Sequence, residues 1–296
     1  MKSIPIKLTT KNIFVAVPSL GQIRSETMAS LMKLQFHLHE LGVGMLIQQY
    51  HSADIATSRN TLASNFFWLK QFSHLLFVDS DMSFEPEAVQ RLLDFDEPVT
   101  AQICPKRTLD LERLRMLIEK ELARPKQAQI PTQTLIARAA DYAVRVRNWD
   151  GTTGHRIERD GFLSVPGIGA AIMLVRRDAL ETMALQGAAI SVGSSEAKPG
   201  GHRRTVFGFF SPLSDEATGC PLAEDLSFCK RWVVECAGQI WADTETPINH
   251  HGSWAFSGRY ADLRSEISIP RRGDLPTPVG QPERNEVHAG SRVAAH

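Results

Sequence analysis

Over its first 104 residues the chain alternates, at short and regular intervals, between β-rich apolar runs and segments with helical periodicity. Residues 13–17 (IFVAV), closed by Pro18 and Gly21, read as a buried strand. From 26 to 41 the apolar positions Met28, Leu31, Met32, Leu34, Leu38 and Leu41 recur at threes and fours, a helix ended by Gly42. Residues 43–49 predict a second strand, and 53–70 a turn feeding a helix with Leu62, Phe66 and Leu69 on one face. A third strand follows at 74–78, a helix at 86–95 and a fourth strand at 99–104. Strands joined through helices are crossover-connected, which favours a parallel sheet with helices on its faces. The first third is therefore predicted to be α/β and doubly wound.

The remainder is less regular. Residues 108–124 carry Leu109, Leu111, Leu114, Leu117, Ile118 and Leu122 among charges, an amphipathic helix stopped at Pro125, and 127–133 read as a polar loop. Small and apolar residues alternate over 162–175 around Pro166-Gly167-Ile168-Gly169. A short helix capped by Asp178 is expected at 178–185, a flexible loop at 191–204, a helix at 224–237 and a strand at 239–241. From Pro270 onward, Pro, Gly and mixed charges without periodicity predict a disordered tail. These readings give one domain over 1–262, with a helical insertion at about 108–160, and a tail over 263–296.

Composition excludes several function classes. Hydrophobic residues make up 43% and charged residues 22%, enough apolar content for a sizeable core and too little charge for wholesale disorder. The 33 Lys and Arg cancel the 33 Asp and Glu, which argues against a dedicated nucleic-acid binder. The balance is uneven along the chain: residues 101–160 sum to +4 and residues 206–262 to −5. Four scattered cysteines without a C-x-x-C pair fit a reducing compartment. No apolar run is long enough to span a bilayer, and no signal-peptide core is visible. The expected location is the cytoplasm, with peripheral membrane contact left open.

The strongest chemical signal is Asp79-Ser80-Asp81 at the C-terminal end of the third apolar strand. Open α/β sheets place their ligands at such strand ends. Two hard carboxylates two residues apart suit Mg²⁺ or Mn²⁺, which complete their shells with water and substrate phosphates; the plain alternative is a solvated turn. Thr57-Ser58-Arg59-Asn60 opens a helix, where free N–H groups and a guanidinium fork suit a phosphate or a base edge. Glu224 and Asp225 also open a helix; the helix dipole favours acids there whatever their role, and one could serve as general base. In Asn249-His250-His251-Gly252 one histidine could ligate a cation, since neighbours on an extended strand face opposite ways. Lys106 and Arg107 could neutralise a diphosphate or form a solvated pair.

Taken in order from about residue 13 to 256, these motifs resemble glycosyltransferases of the GT-A fold, in particular family-2-like enzymes that use nucleotide sugars. The resemblance implies a Rossmann-like, mostly parallel sheet flanked by helices, with a nucleotide-diphosphate sugar held across its C-terminal edge. Asp81 and His250 would ligate a divalent cation, Mn²⁺ or Mg²⁺, with His251 as the rival of His250 and Asp79 a further candidate ligand nearer the ribose or base. Arg59, Asn60, Ser80, Lys106, Gly167 and Gly169 would line the donor, a UDP- or GDP-sugar. Asp225, beside Glu224, would be the base of an inverting transfer. The acceptor could be a glycan, a lipid-linked carrier or a protein. Two other classes stay open: a metal-dependent phosphohydrolase or nucleotidyltransferase, and a catalytically inactive nucleotide-sugar-binding module.

Overall fold

A computed structural model describes residues 11–152, 157–194, 203–216 and 219–252. The expected tail over 263–296 and the middle of the expected 191–204 loop lie outside the described residues. Within the described unit the chain runs β1 Asn12–Ser19, α1 Ser25–Glu40, β2 Gly44–His51, α2 Ile55–Trp68, β3 His74–Val78, β4 Met82–Ser83, α3 Pro86–Phe95 and β5 Val99–Gln102. It continues β6 Pro105–Leu109, α4 Leu111–Leu122, α5 Thr132–Ala139, β7 Ala140–Tyr142, β8 Val144–Arg145, β9 Glu158–Arg159, β10 Phe162–Val165 and β11 Gly167–Ile168. Then come β12 Ile172–Arg176, α6 Arg177–Leu185, β13 Ser191–Ser194, β14 Thr205–Phe207, α7 Glu224–Lys230, β15 Ile240–Asp243 and β16 Asn249–His250.

Eight strands form the central sheet in the order β2-β1-β3-β12-β5-β15-β10-β9. β1 pairs parallel with both β2 and β3, and β15 pairs parallel with β5. β12 is inserted antiparallel between β3 and β5, and β10 runs antiparallel to β15 and β9. Strand direction is thus mostly uniform, as predicted, with β12 and β10 reversed. The apolar run of β1 is buried on both faces. Phe14 and Ala16 join α2, α6 and α7 residues such as Leu62, Phe66, Leu180 and Phe228. Ile13, Val15 and Val17 join Leu31, Leu34 and Leu38 of α1 and Val89 and Leu92 of α3. A strand covered on both sides has no polar face to alternate with, so its sequence over 13–17 is continuously apolar. Each such side chain, fully buried, contributes roughly 1.5–3 kcal/mol.

Several expectations are corrected. On α1 only part of the apolar set faces the core; Met28, Met32 and Leu41 are exposed. Asp178 does not cap α6: Arg176 stands at the N-cap position, and Asp178 sits in the first turn paired with the Arg176 side chain. The 127–133 loop gives way at Thr132 to α5, a helix the pattern did not reveal. The insertion is helical only in its first half, since 140–160 contributes β7, β8 and β9. β13 and β14 frame the 191–204 segment as a hairpin. The helix expected over 224–237 is α7 followed by a wider π-type turn over Arg231–Glu235. On α4 the buried residue is Glu121, whose carboxylate accepts the Ile130 N–H at 2.7 Å, while Leu111 and Leu122 stay exposed. None of the four cysteines is in a disulfide. No helix among the described residues is long and apolar enough to cross a membrane.

Candidate functional site

The D-x-D turn leaves the sheet at the C-terminal end of β3 and is held from three sides. The Asp79 N–H donates to the Ala171 carbonyl at 2.8 Å. The Ser80 carbonyl accepts the Arg24 N–H at 2.9 Å and the Thr27 hydroxyl at 3.0 Å, pinning the turn to the start of α1. The His251 N–H donates to the Asp81 carbonyl at 2.8 Å, and β16 pairs with β4 so that His250 lies opposite Met82. Ser80 therefore enters the site through its backbone.

The β16 register places the two histidine rings differently. His250 Nε2 stands 3.3 Å from Asp81 Oδ2, whereas His251 Nε2 turns to the Ser83 hydroxyl at 2.7 Å. His250 Nδ1 lies 2.8 Å from the Pro105 carbonyl. A carbonyl only accepts, so Nδ1 carries a proton, and in the neutral ring Nε2 would present a lone pair to Asp81. A lone pair facing a carboxylate oxygen calls for a proton or a cation between them. The pKa values answer in that sense. His250 is raised by its hydrogen bond to Asp81, against the effect of burial. At Asp81, burial pushes the pKa up but the His250 hydrogen bond and the His250 and Arg107 charges outweigh it, leaving it lowered. A backbone carbonyl fixing one ring nitrogen while the other faces outward is the usual support of a metal-ligating histidine. Among the described residues no group of three or more His, Cys, Asp or Glu side chains surrounds one point. The groups that could hold a cation here are one carboxylate and one imidazole, a pair that suits Mn²⁺ or Mg²⁺ only with water and phosphate oxygens completing the shell.

Arg59 links this turn to the start of α7. Asp54 caps α2 by accepting from the N–H groups of Ala56 and Thr57, and the next turn aims Arg59 into the interior, where it is 3% exposed. Its Nη2 donates to Asp79 Oδ1 at 2.8 Å, its Nε to Glu224 Oε1 at 3.1 Å and its Nη1 to the Ala170 carbonyl at 3.1 Å. The guanidinium also lies 5.2 Å from the Phe77 ring centroid. Burial works against its charge, but the carboxylates of Asp79, Glu224 and Asp225 prevail and raise its pKa. Arg59, expected at the donor, is a buried bridge in which three of the five N–H groups of the guanidinium have these partners. Asn60 is likewise buried, donating to the Ser211 hydroxyl at 3.2 Å and accepting the Phe210 N–H at 2.7 Å. Arg59→Met would strand two carboxylates and is expected to cost about 3–5 kcal/mol of folding stability. Urea unfolding checks this, with Arg59→Lys falling between the variant and wild type.

Asp225 faces the small-residue strand. Its Oδ1 accepts the Leu226 N–H at 2.7 Å, and a Cβ placed on Gly169 would stand 3.5 Å from its Oδ2 and 3.0 Å from the Ala143 Cβ. At Gly167 a Cβ would press on Leu226 at 3.1 Å and Arg145 at 3.3 Å. The glycines thus let β11 and the segment after it lie close against the start of α7 and the 143–145 segment. Burial, then the neighbouring Glu224 charge, raise the Asp225 pKa. Burial likewise raises Asp79, with Arg59 opposing. Lys106 is exposed; the basic residue that reaches the turn is Arg107, with Nη1 3.1 Å from Asp81 Oδ2. The sequence named that pair without separating its members: on a strand, adjacent side chains point apart.

The sequence matches no known protein-family model and no curated protein. Among solved structures it is similar to A197 from STIV, at 14% identity over 82% of this chain and 87% of that one, with a TM-score of 0.42. It is also similar to GalNAc-T7 crystallised with UDP, GalNAc and Mn²⁺, at 7% identity over 81% of this chain and 43% of that one, TM-score 0.42. A third is a Drosophila beta-1,4-galactosyltransferase 7 mutant in complex with manganese, UDP-Gal and xylobiose, at 12% identity over 88% and 82%, TM-score 0.36.

Proposed function

We propose that the protein is a glycosyltransferase that moves a sugar from a nucleotide-diphosphate donor to an acceptor hydroxyl, with a divalent cation and inversion at the anomeric carbon. The observation that carries this reading is the Arg59 bridge. One buried guanidinium ties the D-x-D strand end, through Asp79, to the acidic start of α7, through Glu224. It thereby fixes a cation-seeking carboxylate and a buried, raised-pKa carboxylate relative to each other at one end of the sheet. A simple solvated turn or a decorative helix cap needs no such link.

Asp81 and His250 would hold the cation. When bound, it would neutralise, as a Lewis acid, the charge developing on the leaving nucleoside diphosphate. Asp225 would accept the proton of the acceptor hydroxyl as that oxygen attacks the anomeric carbon from the face opposite the departing phosphate. Glu224 is anchored by Arg59 and acts as a positioning residue. Gly169 leaves open the space beside the Asp225 carboxylate, and Gly167 the space beside Leu226 and Arg145. UDP- and GDP-sugars are the leading donor classes.

A thermal-shift screen of UDP-, GDP-, CMP- and dTDP-sugars, with and without Mn²⁺, tests this directly, because a ligand that binds only the folded state raises the melting temperature. We expect a Mn²⁺-dependent rise with one nucleotide class. Phosphate release from a nucleotide sugar without any acceptor would instead place the protein among phosphohydrolases. Binding with no turnover toward any acceptor would leave an inactive binding module.

A further inference from the structure

Asp81 Oδ2 has two nitrogen partners, His250 Nε2 at 3.3 Å and Arg107 Nη1 at 3.1 Å. Both converge on the oxygen that the proposed function gives to a cation. The two partners are held very differently. His250 is fixed through Nδ1 to the Pro105 carbonyl and by the β16–β4 pairing. Arg107 projects from β6 with 56% of its side chain exposed, and Asp81 is its ion-pair partner. Its stem lies across Gly252, where an added Cβ would come within 2.9 Å of Arg107 Cδ. The late glycine thus gives the arginine a track along the backbone into the site. The start of β6 is fixed by pairing of Pro105 with Tyr142. The side chain is therefore long, solvated and loosely held, while its root is firm.

We propose that Arg107 is a placeholder cation, which occupies Asp81 when no metal is present and turns to the donor's diphosphate once the metal displaces it. This rests on the glycosyltransferase reading of the same site and adds a residue role to it. The physical logic is exchange of partners. The Asp81 carboxylate attracts positive charge, and Arg107 brings its guanidinium to 3.1 Å from Oδ2. A divalent ion concentrates more charge on the same oxygen and competes with the guanidinium directly. Freed, the guanidinium is a fork matched to phosphate oxygens. Lys106, the adjacent exposed residue, has no such contact with the turn.

Removing Arg107 therefore has opposite effects on the two ligands. With Mn²⁺ alone, followed by the loss of the free-ion signal in electron paramagnetic resonance, Arg107→Gln is expected to bind about twofold to fivefold tighter than wild type, the range of an exposed ion pair. Arg107→Lys should lie nearer wild type, and Asp81→Ala should lose the binding. With Mn²⁺ saturating, calorimetric titration of UDP and GDP in turn should show the favoured nucleotide binding roughly tenfold more weakly to Arg107→Gln, the loss of a charged hydrogen bond. Unchanged or weaker Mn²⁺ binding in Arg107→Gln, with Asp81→Ala still losing it, overturns the placeholder role and leaves the wider reading standing. Mn²⁺ binding that survives Asp81→Ala, or no binding of either nucleotide to wild type, overturns the reading itself. A merely structural arginine would shift both affinities in the same direction or neither.

Discussion

Asp81→Ala is expected to abolish sugar transfer, by about 10²–10³-fold or more, and to remove the metal-dependent part of donor binding. The size follows from what one oxygen does. Asp81 Oδ2 is the meeting point of His250 and Arg107, so its loss removes the anionic ligand of the proposed cation and the ion-pair partner of Arg107. The fold should tolerate the change. Asp81 is partly exposed, its Arg107 partner is more so, and the backbone bonds that shape the turn, from Arg24 to Ser80 and from His251 to Asp81, do not involve the deleted carboxylate. Exposed pairs of this kind are worth about 0–1 kcal/mol, so the melting temperature in metal-free buffer should move little. The check is transfer measured with added Mn²⁺ and with chelator. Wild type should lose activity in chelator and recover it on adding metal, and the variant should be inactive in both. Full activity of Asp81→Ala, indifferent to metal, would remove the cation from the account.

The second large effect is Asp225→Asn, expected to lower turnover by roughly 10²–10⁴-fold while leaving donor affinity within about twofold. Asparagine keeps the shape and the oxygen that accepts the Leu226 N–H, and removes only the basicity. The pH behaviour adds a second readout. Burial, followed by the Glu224 charge, raises the pKa of Asp225 above the ordinary carboxylate range. The ionised form is the base, so wild-type turnover should fall as pH drops through that raised value, and the residual turnover of the variant should lack this limb. The stability sign runs the other way from most carboxylates. A folded pKa above the unfolded one means the folded state binds the proton more readily, so ionised Asp225 costs folding free energy. Asp225→Asn should therefore be as stable as wild type or more so near neutral pH. A large loss of melting temperature would make the residue a helix-start fixture rather than a base.

Where the sequence was legible, one element carried its own signal. β1 and β3 are continuous apolar runs because they are buried on both faces, and the D-x-D follows directly from the end of β3. The core face of α1 was partly misread: Met28, Met32 and Leu41 keep the helical spacing yet face solvent, since periodicity marks a stripe but not how wide a neighbour covers it. α5 escaped notice because its eight residues make little more than two turns, too short for a helical period to show. The reversal of β12 and β10 left no trace either, because a strand's composition does not encode its direction.

The site divides along the same line. The acidic motifs at 79–81 and 224–225 were visible from residue type and placement alone, as was a late histidine pair, because each is a short contiguous stretch. Their partners were not. That His250, not His251, faces Asp81 depends on a β16–β4 register between segments some 168 positions apart, as the bond from Ser83 to His251 records. The buried bridge at Arg59 depends on Asp79, Ala170 and Glu224 arriving around it from three separate segments. That Arg107, not Lys106, reaches Asp81 depends on which face of β6 meets the turn. Sequence by itself determined which chemical groups the chain owns and at which strand and helix ends they lie, since local periodicity and local motifs are short-range properties. Only the tertiary structure decided which of those groups share an oxygen, because charge pairing falls off within a few ångströms and those distances are set by sheet register, not by spacing along the chain.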